Sequence, residues 1–179
     1  MARKIPPSRP QATIADIQRM VLSNADNLIF EKVLIVGVRD YYKNSLGKPG
    51  VGDRNYYDDA MFILTGGKLE SFNFNVDPSR HRKGIATLKA GLYSLVKHRH
   101  RGRYPALQIE LDVVIRDGQK GTDTGRHGIN FHYGGDDDTW SLGCQTCPRK
   151  QWLEFQPRVY ALMDKFKLHR VKYLLVEGT

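Results

Sequence analysis

Two side chains have the chemistry of a nucleophile and its base, and they lie close together along the chain. His132 lies in the alternating segment Gly128–Gly134, and Cys144 lies in the segment Ser141–Gln145. The residues between them are rich in glycine and aspartate and therefore turn-prone. One reversal of the chain would bring the thiol to the imidazole, the two groups that nucleophilic catalysis by cysteine requires.

A cysteine attacks as its thiolate, whose formation needs an environment that favours negative charge. The sequence predicts a helix soon after Cys144, and the N-terminus of a helix favours a thiolate. The backbone N–H groups around Gly143 to Gln145 are candidates for an oxyanion hole. The second ring nitrogen of His132 needs an acceptor, for which the candidates are a backbone carbonyl near Tyr133 and the carboxylates of residues 136–138.

These motifs resemble the signature of the L,D-transpeptidase (YkuD-type) family, in which H-x-G is followed by S-H-G-C. The resemblance extends over residues 60–176 and rests on His132, Gly134, Ser141, Gly143 and Cys144. It implies a cysteine that is acylated by the stem peptide of peptidoglycan, with no cofactor. It also implies an α+β, mainly β fold, in which a mixed sheet or sandwich has an N-terminal helix and a helix after the cysteine.

By this resemblance the catalytic residues are Cys144 as nucleophile, His132 as base and Gly143 as a donor to the oxyanion. The candidate substrate-binding residues are Tyr133, Ser141, Gln145, Arg126 and Arg149. The chain departs from the family pattern because Leu142 replaces the histidine before Gly-Cys, and Gln145-Thr146 replaces a pair that ends in arginine. Arg126 and Arg149 are therefore the candidates for contact with a substrate carboxylate.

Three other functions are compatible with the same residues. Two histidines and two cysteines, His127, His132, Cys144 and Cys147, have the ligand inventory of a tetrahedral zinc site. The C-x-x-C spacing occurs in thiol redox proteins. A third possibility is a basic module that binds nucleic acid without catalysis. Strand alternation argues against the zinc site, since a spacing of five places His127 and His132 on opposite faces.

The composition describes one globular domain with a basic surface. The chain has 179 residues, a net charge of +9 and no apolar run long enough to span a membrane. Residues 80–103 contain eight Lys or Arg and no acid, a distribution that attracts polyanions such as nucleic acid or an acidic wall polymer. We expect a flexible basic arm over residues 1–12 and a single catalytic domain over residues 13–179.

The N-terminus lacks the apolar region of a signal peptide. We therefore expect a protein made in the cytoplasm that reaches the cell wall after release or delivery, as a phage lysis protein or a delivered toxin does. For such a protein hydrolysis fits better than cross-linking. The expected partners are peptidoglycan or muropeptides.

Periodicity predicts the elements that position these residues. Thr13 is the predicted N-cap of a helix that begins at Ile14, and residues 32–38 form a predicted buried strand. Residues 60–65 and 68–75 form a predicted hairpin around Gly66-Gly67. Further strands are predicted over residues 107–115, 128–133 and 171–176, with an exposed basic loop over residues 97–103. The helix after Cys147 should be kinked or split at Pro157.

Overall fold

The protein is mainly β-structure, arranged as one large sheet, one small sheet and two α-helices. The computed structural model describes residues 3–24 and 26–178. The helices within these residues are α1 (Ile14–Leu22), a short 3-10 helix (Asp26–Phe30) and α2 (Arg149–Lys165). Strand makes up 37% and helix 17%, which confirms the predicted α+β, mainly β class.

The strands of the described residues are numbered in chain order. They are β1 (Leu34–Arg39), β2 (Asp59–Thr65), β3 (Lys68–Phe74), β4 (Ala86–Leu88), β5 (Gly91–His100), β6 (Tyr104–Ile109), β7 (Asp112–Arg116), β8 (Asp123–Gly125), β9 (Asn130–Gly134), β10 (Gln145–Pro148) and β11 (Val171–Glu177). The large sheet has the order β10-β9-β6-β5-β11-β1-β2-β3, and the small sheet has the order β4-β7-β8.

The large sheet curls until its two edges nearly meet. An antiparallel bridge joins Asn75, just after β3, to Thr146 on β10. Both backbone N–H···O distances across this bridge are 2.8 Å. The bridge supplies backbone partners to β3 and β10, which would otherwise be open edges.

Each face of the large sheet is covered by one helix. The inner face packs against α2, whose buried residues include Trp152 and Phe155, and this core reaches Phe131 on β9. The outer face of β1, β2 and β11 packs against Ile17 and Val21 of α1. Because both faces of these central strands are covered, β1 is buried at every position and reads as a continuous apolar run rather than an alternating one.

Several elements follow the sequence predictions. Thr13 caps α1 through a capping box with Asp16, in which each side chain accepts from the backbone of the other residue. The hairpin of β2 and β3 turns at Gly66 and Gly67, both with positive φ. These predictions are confirmed. The sequence could give them because caps and tight turns depend on residues that are close together in the chain.

The predicted single strand over residues 107–115 is wrong. The chain leaves the large sheet after Ile109 and enters the small sheet at Asp112, so that β6 and β7 pair with different partners. The apolar–polar alternation of the sequence continues to Asp112, but burial does not follow it through the corner: Leu111 is exposed, and Asp112 is buried, where it pairs with His127. Periodicity therefore does not reveal the change of sheet.

The basic segment over residues 97–103 is not a loop, as the sequence predicted. Strand β5 continues to His100, and its last pair is His100 with Tyr104 on β6. Alternate side chains of a strand point to opposite faces, so a basic segment can be paired in a sheet while it keeps its charges at the surface. The turn itself occupies only Arg101 to Arg103.

The predicted break at Pro157 is also wrong, because α2 is one helix from Arg149 to Lys165. Pro157 lies on the exposed face of this helix, as does Leu153, whose carbonyl loses its usual partner. That carbonyl can be hydrated, and the apolar face that contains Phe155 and Val159 remains continuous against the core.

The predicted N-terminal arm lies along the sheet over its described part. The carbonyl of Lys4 accepts from the N–H of Tyr57 at 2.9 Å, and that of Ser8 accepts from the side-chain amide of Asn73 at 3.2 Å. Arg9 forms an ion pair with Glu154 on α2. Residues 1 and 2 lie outside the described residues, and the flexibility of the arm stays a prediction.

Candidate active site

The site is built where β9 and β10 run parallel at one edge of the large sheet. Gln145 pairs with Phe131, and Thr146 pairs with His132. Phe131 lies in the inner core, so His132 points to the outer face. Continuing the register places Cys144 beside Asn130, on the face that His132 shares. The structure thus brings the predicted nucleophile and base to one face of adjacent strands.

The loop before β10 is held in shape by Ser141. Its hydroxyl donates to the carbonyl of Cys144 at 2.7 Å and accepts from the N–H of Gly143 at 3.1 Å. Gly143 has a φ of +131°, and a Cβ there would lie 2.6 Å from the carbonyl oxygen of Ala86. The small residues of this motif are therefore needed to pass the chain beneath β4 and present the thiol.

A similar steric reason requires glycine two residues after His132. A Cβ on Gly134 would lie 2.5 Å from the carbonyl oxygen of Thr139 and would also meet the hydroxyl of Tyr57. That hydroxyl donates to the carbonyl of Gly135 at 2.7 Å. Tyr57, from the long segment before β2, thereby anchors the turn that follows β9.

His132 is held as a neutral imidazole with one nitrogen fixed. Its Nδ1 lies 2.8 Å from the carbonyl oxygen of Tyr133, so Nδ1 carries the proton and Nε2 keeps a lone pair. Burial lowers the pKa of His132 to about 4, and the charges of His100 and Arg101 act in the same direction. Of the two kinds of acceptor considered, the Tyr133 carbonyl rather than an aspartate fixes the ring.

Cys144 is a free, partly exposed cysteine. Burial raises the pKa of its thiol, while the backbone N–H of Asn130 and the charge of Arg101 oppose that rise. The predicted helix N-terminus at this thiol is wrong, since β10 intervenes and α2 begins only at Arg149. Among the described residues the thiol has no hydrogen bond to His132, so the resting site contains a thiol and a neutral imidazole rather than an ion pair.

The backbone amides at the thiol differ in availability. The N–H of Gly143 is already bound to the Ser141 hydroxyl, so it is not free for the oxyanion role that the sequence suggested. The N–H of Cys144 makes no hydrogen bond within the described part of the chain. This amide is the donor that an oxyanion next to the sulfur could use.

Four further residues border the site, and sequence reasoning missed all of them. His100 stacks on His132 with ring centroids 4.3 Å apart, and the charge of Arg101 acts on both His132 and Cys144. Tyr104 stacks on Tyr133 at 4.7 Å. The fourth residue is exposed Trp140, whose ring lies edge-on to that of Tyr133 with the ring centroids 6.2 Å apart. The pairing of β5, β6 and β9 brings His100, Arg101 and Tyr104 to the site, and no local motif encodes that pairing. Trp140 lies in the loop between β9 and β10.

The predicted substrate-binding residues fall into separate places. Tyr133 and Arg149 lie together, with the guanidinium 5.1 Å from the ring centroid. Ser141 and Gln145 are buried, and Gln145 bonds inward to the Tyr173 hydroxyl. Arg126 is exposed and lines a different depression beside Gln108 and Glu110.

The four candidate zinc ligands do not converge. His127 binds Asp112 and Asp123 through its two ring nitrogens, and Cys147 is fully buried in the inner core. Throughout residues 3–24 and 26–178, no three His, Cys, Asp or Glu side chains are grouped to hold a metal ion. Cys144 and Cys147 also differ in environment, since Cys144 is partly exposed and Cys147 lies in the core, which separates the C-x-x-C pair.

Comparison with known proteins identifies no family for this chain, so the proposed function rests on the geometry of the candidate site. No family model matches the chain, and a search of curated proteins finds no match. In the described part of the chain, neither α-helix is long and apolar enough to cross a membrane.

Proposed function

We propose that the protein is a cysteine-dependent peptidase related in chemistry to L,D-transpeptidases, and that it acts on the stem peptides of peptidoglycan. The observation that carries the proposal is the fixed tautomer of His132 beside Cys144. Because Nδ1–H is held by the Tyr133 carbonyl, the free Nε2 is in the state that accepts a proton from a thiol.

In the proposed reaction, Nε2 of His132 accepts the thiol proton as the Cys144 sulfur attacks an amide carbonyl carbon. The oxyanion receives the N–H of Cys144. As the carbon–nitrogen bond breaks, His132 returns the proton to the leaving amine, and a thioester remains on the sulfur. A water molecule then gives one proton to His132 and attacks the thioester carbonyl. As the carbon–sulfur bond breaks, the acid is released and His132 returns that proton to the sulfur, which restores the thiol.

The surroundings of the thiol suit a carboxylate-bearing peptide. Arg101 and Arg149 are exposed cations at the site, and Arg101 has no ion-pair partner among the described residues. The rings of Tyr104, Tyr133 and Trp140 add an apolar surface beside them. Stem peptides carry both carboxylates and aliphatic side chains, which these two kinds of surface can bind.

The direct test is turnover of muropeptides with defined stem lengths, followed by mass spectrometry. We expect wild-type protein to shorten the stem and Cys144→Ala to lose all detectable turnover. Cys147→Ala removes the other sulfur, which lies in the core, and should retain activity in the fraction that folds. Equal inertness of wild type and Cys144→Ala towards every stem length would exclude the proposal.

A further inference from the structure

His100, the last residue of β5, contacts His132 and also Asn130, the residue that lies beside Cys144. Its ring stacks on that of His132, with centroids 4.3 Å apart and an interplanar angle of 30°. The Tyr104 ring lies 5.5 Å away from the His100 ring at an angle of 37°. His100 is therefore confined by two aromatic neighbours and cannot reorient without disturbing His132.

A hydrogen bond connects the same ring to the thiol side of the site. Nδ1 of His100 lies 3.1 Å from the side-chain amide nitrogen of Asn130. Asn130 is buried, and its other amide atom has no partner within the described residues. The register of β9 and β10 places Asn130 beside Cys144, and the backbone N–H of Asn130 opposes the rise in the pKa of the Cys144 thiol. The side-chain contact with His100 thus fixes the residue whose main chain supports the thiolate.

We propose that His100 is a positioning residue, which holds His132 as a free base and holds Asn130 against Cys144. The inference rests on the proposed function for its catalytic meaning, but its physical content is independent of any substrate. Two imidazoles in van der Waals contact cannot both be charged without mutual repulsion. The stack also keeps water from the His132 ring, and both effects favour the neutral form.

The charges around the pair act in one direction. Arg101 lies in the turn after β5, and His98 lies on the same face of β5. The remaining titratable groups at the pair are Tyr104 on β6 and Cys144 before β10, and neither is an anion at neutral pH. Since no carboxylate faces the pair among the described residues, nothing nearby favours a charged imidazolium, and removal of His100 takes away one of the groups that disfavour it.

The experiment compares His100→Ala, His100→Phe and the matched control His98→Ala, a histidine two positions earlier on the same strand. The pKa of His132 is measured by NMR titration of histidine-labelled protein. We expect His100→Ala to raise this pKa by at least about one unit, because it opens the ring to water and removes a like charge. His100→Phe, which keeps the stack, should raise it by less, and His98→Ala should leave it unchanged.

Kinetics supply the second readout. We expect His100→Ala and His100→Phe to lower kcat at least about tenfold with little change in KM, since both lose the Asn130 contact. The acidic limb of the kcat/KM profile should move to higher pH in His100→Ala. An unchanged His132 pKa in folded His100→Ala, or wild-type kcat in His100→Phe, would overturn the inference. If wild type turns over no muropeptide, the proposed function fails, while the titration still decides the role of His100.

Discussion

The chemistry of single residues depends on which proton each one holds at rest. His132 is neutral because its ring is buried, and it is oriented because Nδ1 is bound to the Tyr133 carbonyl. The Cys144 thiol is protonated because burial raises its pKa. In the proposed reaction, a neutral pair of this kind would transfer its proton during the attack rather than before it, which is general-base catalysis.

The proposed activity should have an acidic limit that is set by this state of His132. We expect kcat/KM for muropeptides to fall as pH decreases through about 4, where His132 becomes protonated and can no longer accept the thiol proton. The pH–rate profile of the wild type measures this limit. As a control, His81→Ala removes a histidine that is largely exposed and should leave the profile unchanged. An acidic limb near the ordinary histidine pKa of about 6.5 would contradict a buried base.

At the scale of elements, the loop before β10 determines where the thiol lies. Gly143 passes directly under the carbonyl of Ala86 on β4, and Ser141 joins both sides of the turn. The small sheet thus supports the candidate site, although neither His132 nor Cys144 belongs to it.

Gly143→Ala tests this support. The methyl group would meet the Ala86 carbonyl at 2.6 Å, and φ at Gly143 is +131°. We expect a loss of about 2–3 kcal/mol in the free energy of unfolding together with loss of turnover. Gly121→Ala is the matched control, since Gly121 also has a positive φ but open space around it. It should cost about 1 kcal/mol and keep activity. Equal effects of the two variants in urea unfolding would contradict the close approach.

The small sheet has its own charged cluster, in which His127 lies between buried Asp112 and half-exposed Asp123. Although burial of the ring lowers it, hydrogen bonds to these two carboxylates raise the pKa of His127 overall. A group whose pKa is raised by folding stabilises the protein below its unfolded pKa. This stabilisation is lost as pH rises through the folded value.

We therefore expect His127→Asn to lower the free energy of unfolding by about 2–3 kcal/mol at pH 5, because it leaves buried Asp112 without its cation. The difference from wild type should shrink as pH rises above the His127 pKa. His81→Asn, which removes an exposed histidine 4.0 Å from Asp117, should have an effect below about 1 kcal/mol. Urea unfolding at pH 5 and pH 9 measures both, and a pH-independent difference would contradict the ion pair.

How much could be predicted from the sequence differs between local and long-range features. The cap at Thr13 and the turn at Gly66-Gly67 follow from short-range chemistry, and the structure has both. The change of sheet after Ile109 and the approach of His100 to His132 depend on strand pairing across the chain. Sequence periodicity contains no information on which strands pair, so it could not predict that His100 contacts His132.

At the scale of the whole molecule, a group of acids lies close to the bridge that joins the two edges of the large sheet. The bridge between Asn75 and Thr146 closes the sheet, and Val76 next to it donates its N–H to buried Asp59. Burial raises the pKa of Asp58 to about 7, with backbone N–H groups opposing and the carboxylates of Asp77 and Asp40 adding to the rise.

This acidic group predicts a pH dependence of global stability. A carboxyl whose folded pKa lies above its unfolded value keeps more protons in the folded state, so stability falls as pH rises between about 4 and about 7. Asp58 contributes at most ~1.4 kcal/mol per pH unit to this slope. We expect Asp58→Asn to reduce the slope, and Asp137→Asn, a change in an exposed loop, to retain it. Chemical unfolding at several pH values measures the slope, and a slope unchanged in Asp58→Asn would contradict the assignment.

The most direct test of the central claim is the mass of the protein during turnover. A muropeptide with a tetrapeptide stem is mixed with the protein, the reaction is quenched in acid, and the chain is examined by intact and peptide-level mass spectrometry. We predict an added mass equal to the acyl part of the substrate on the peptide that contains Cys144, and none in Cys144→Ala. Muropeptide turnover that persists in Cys144→Ala, or that leaves Cys144 unmodified while another residue carries the acyl group, would contradict the claim.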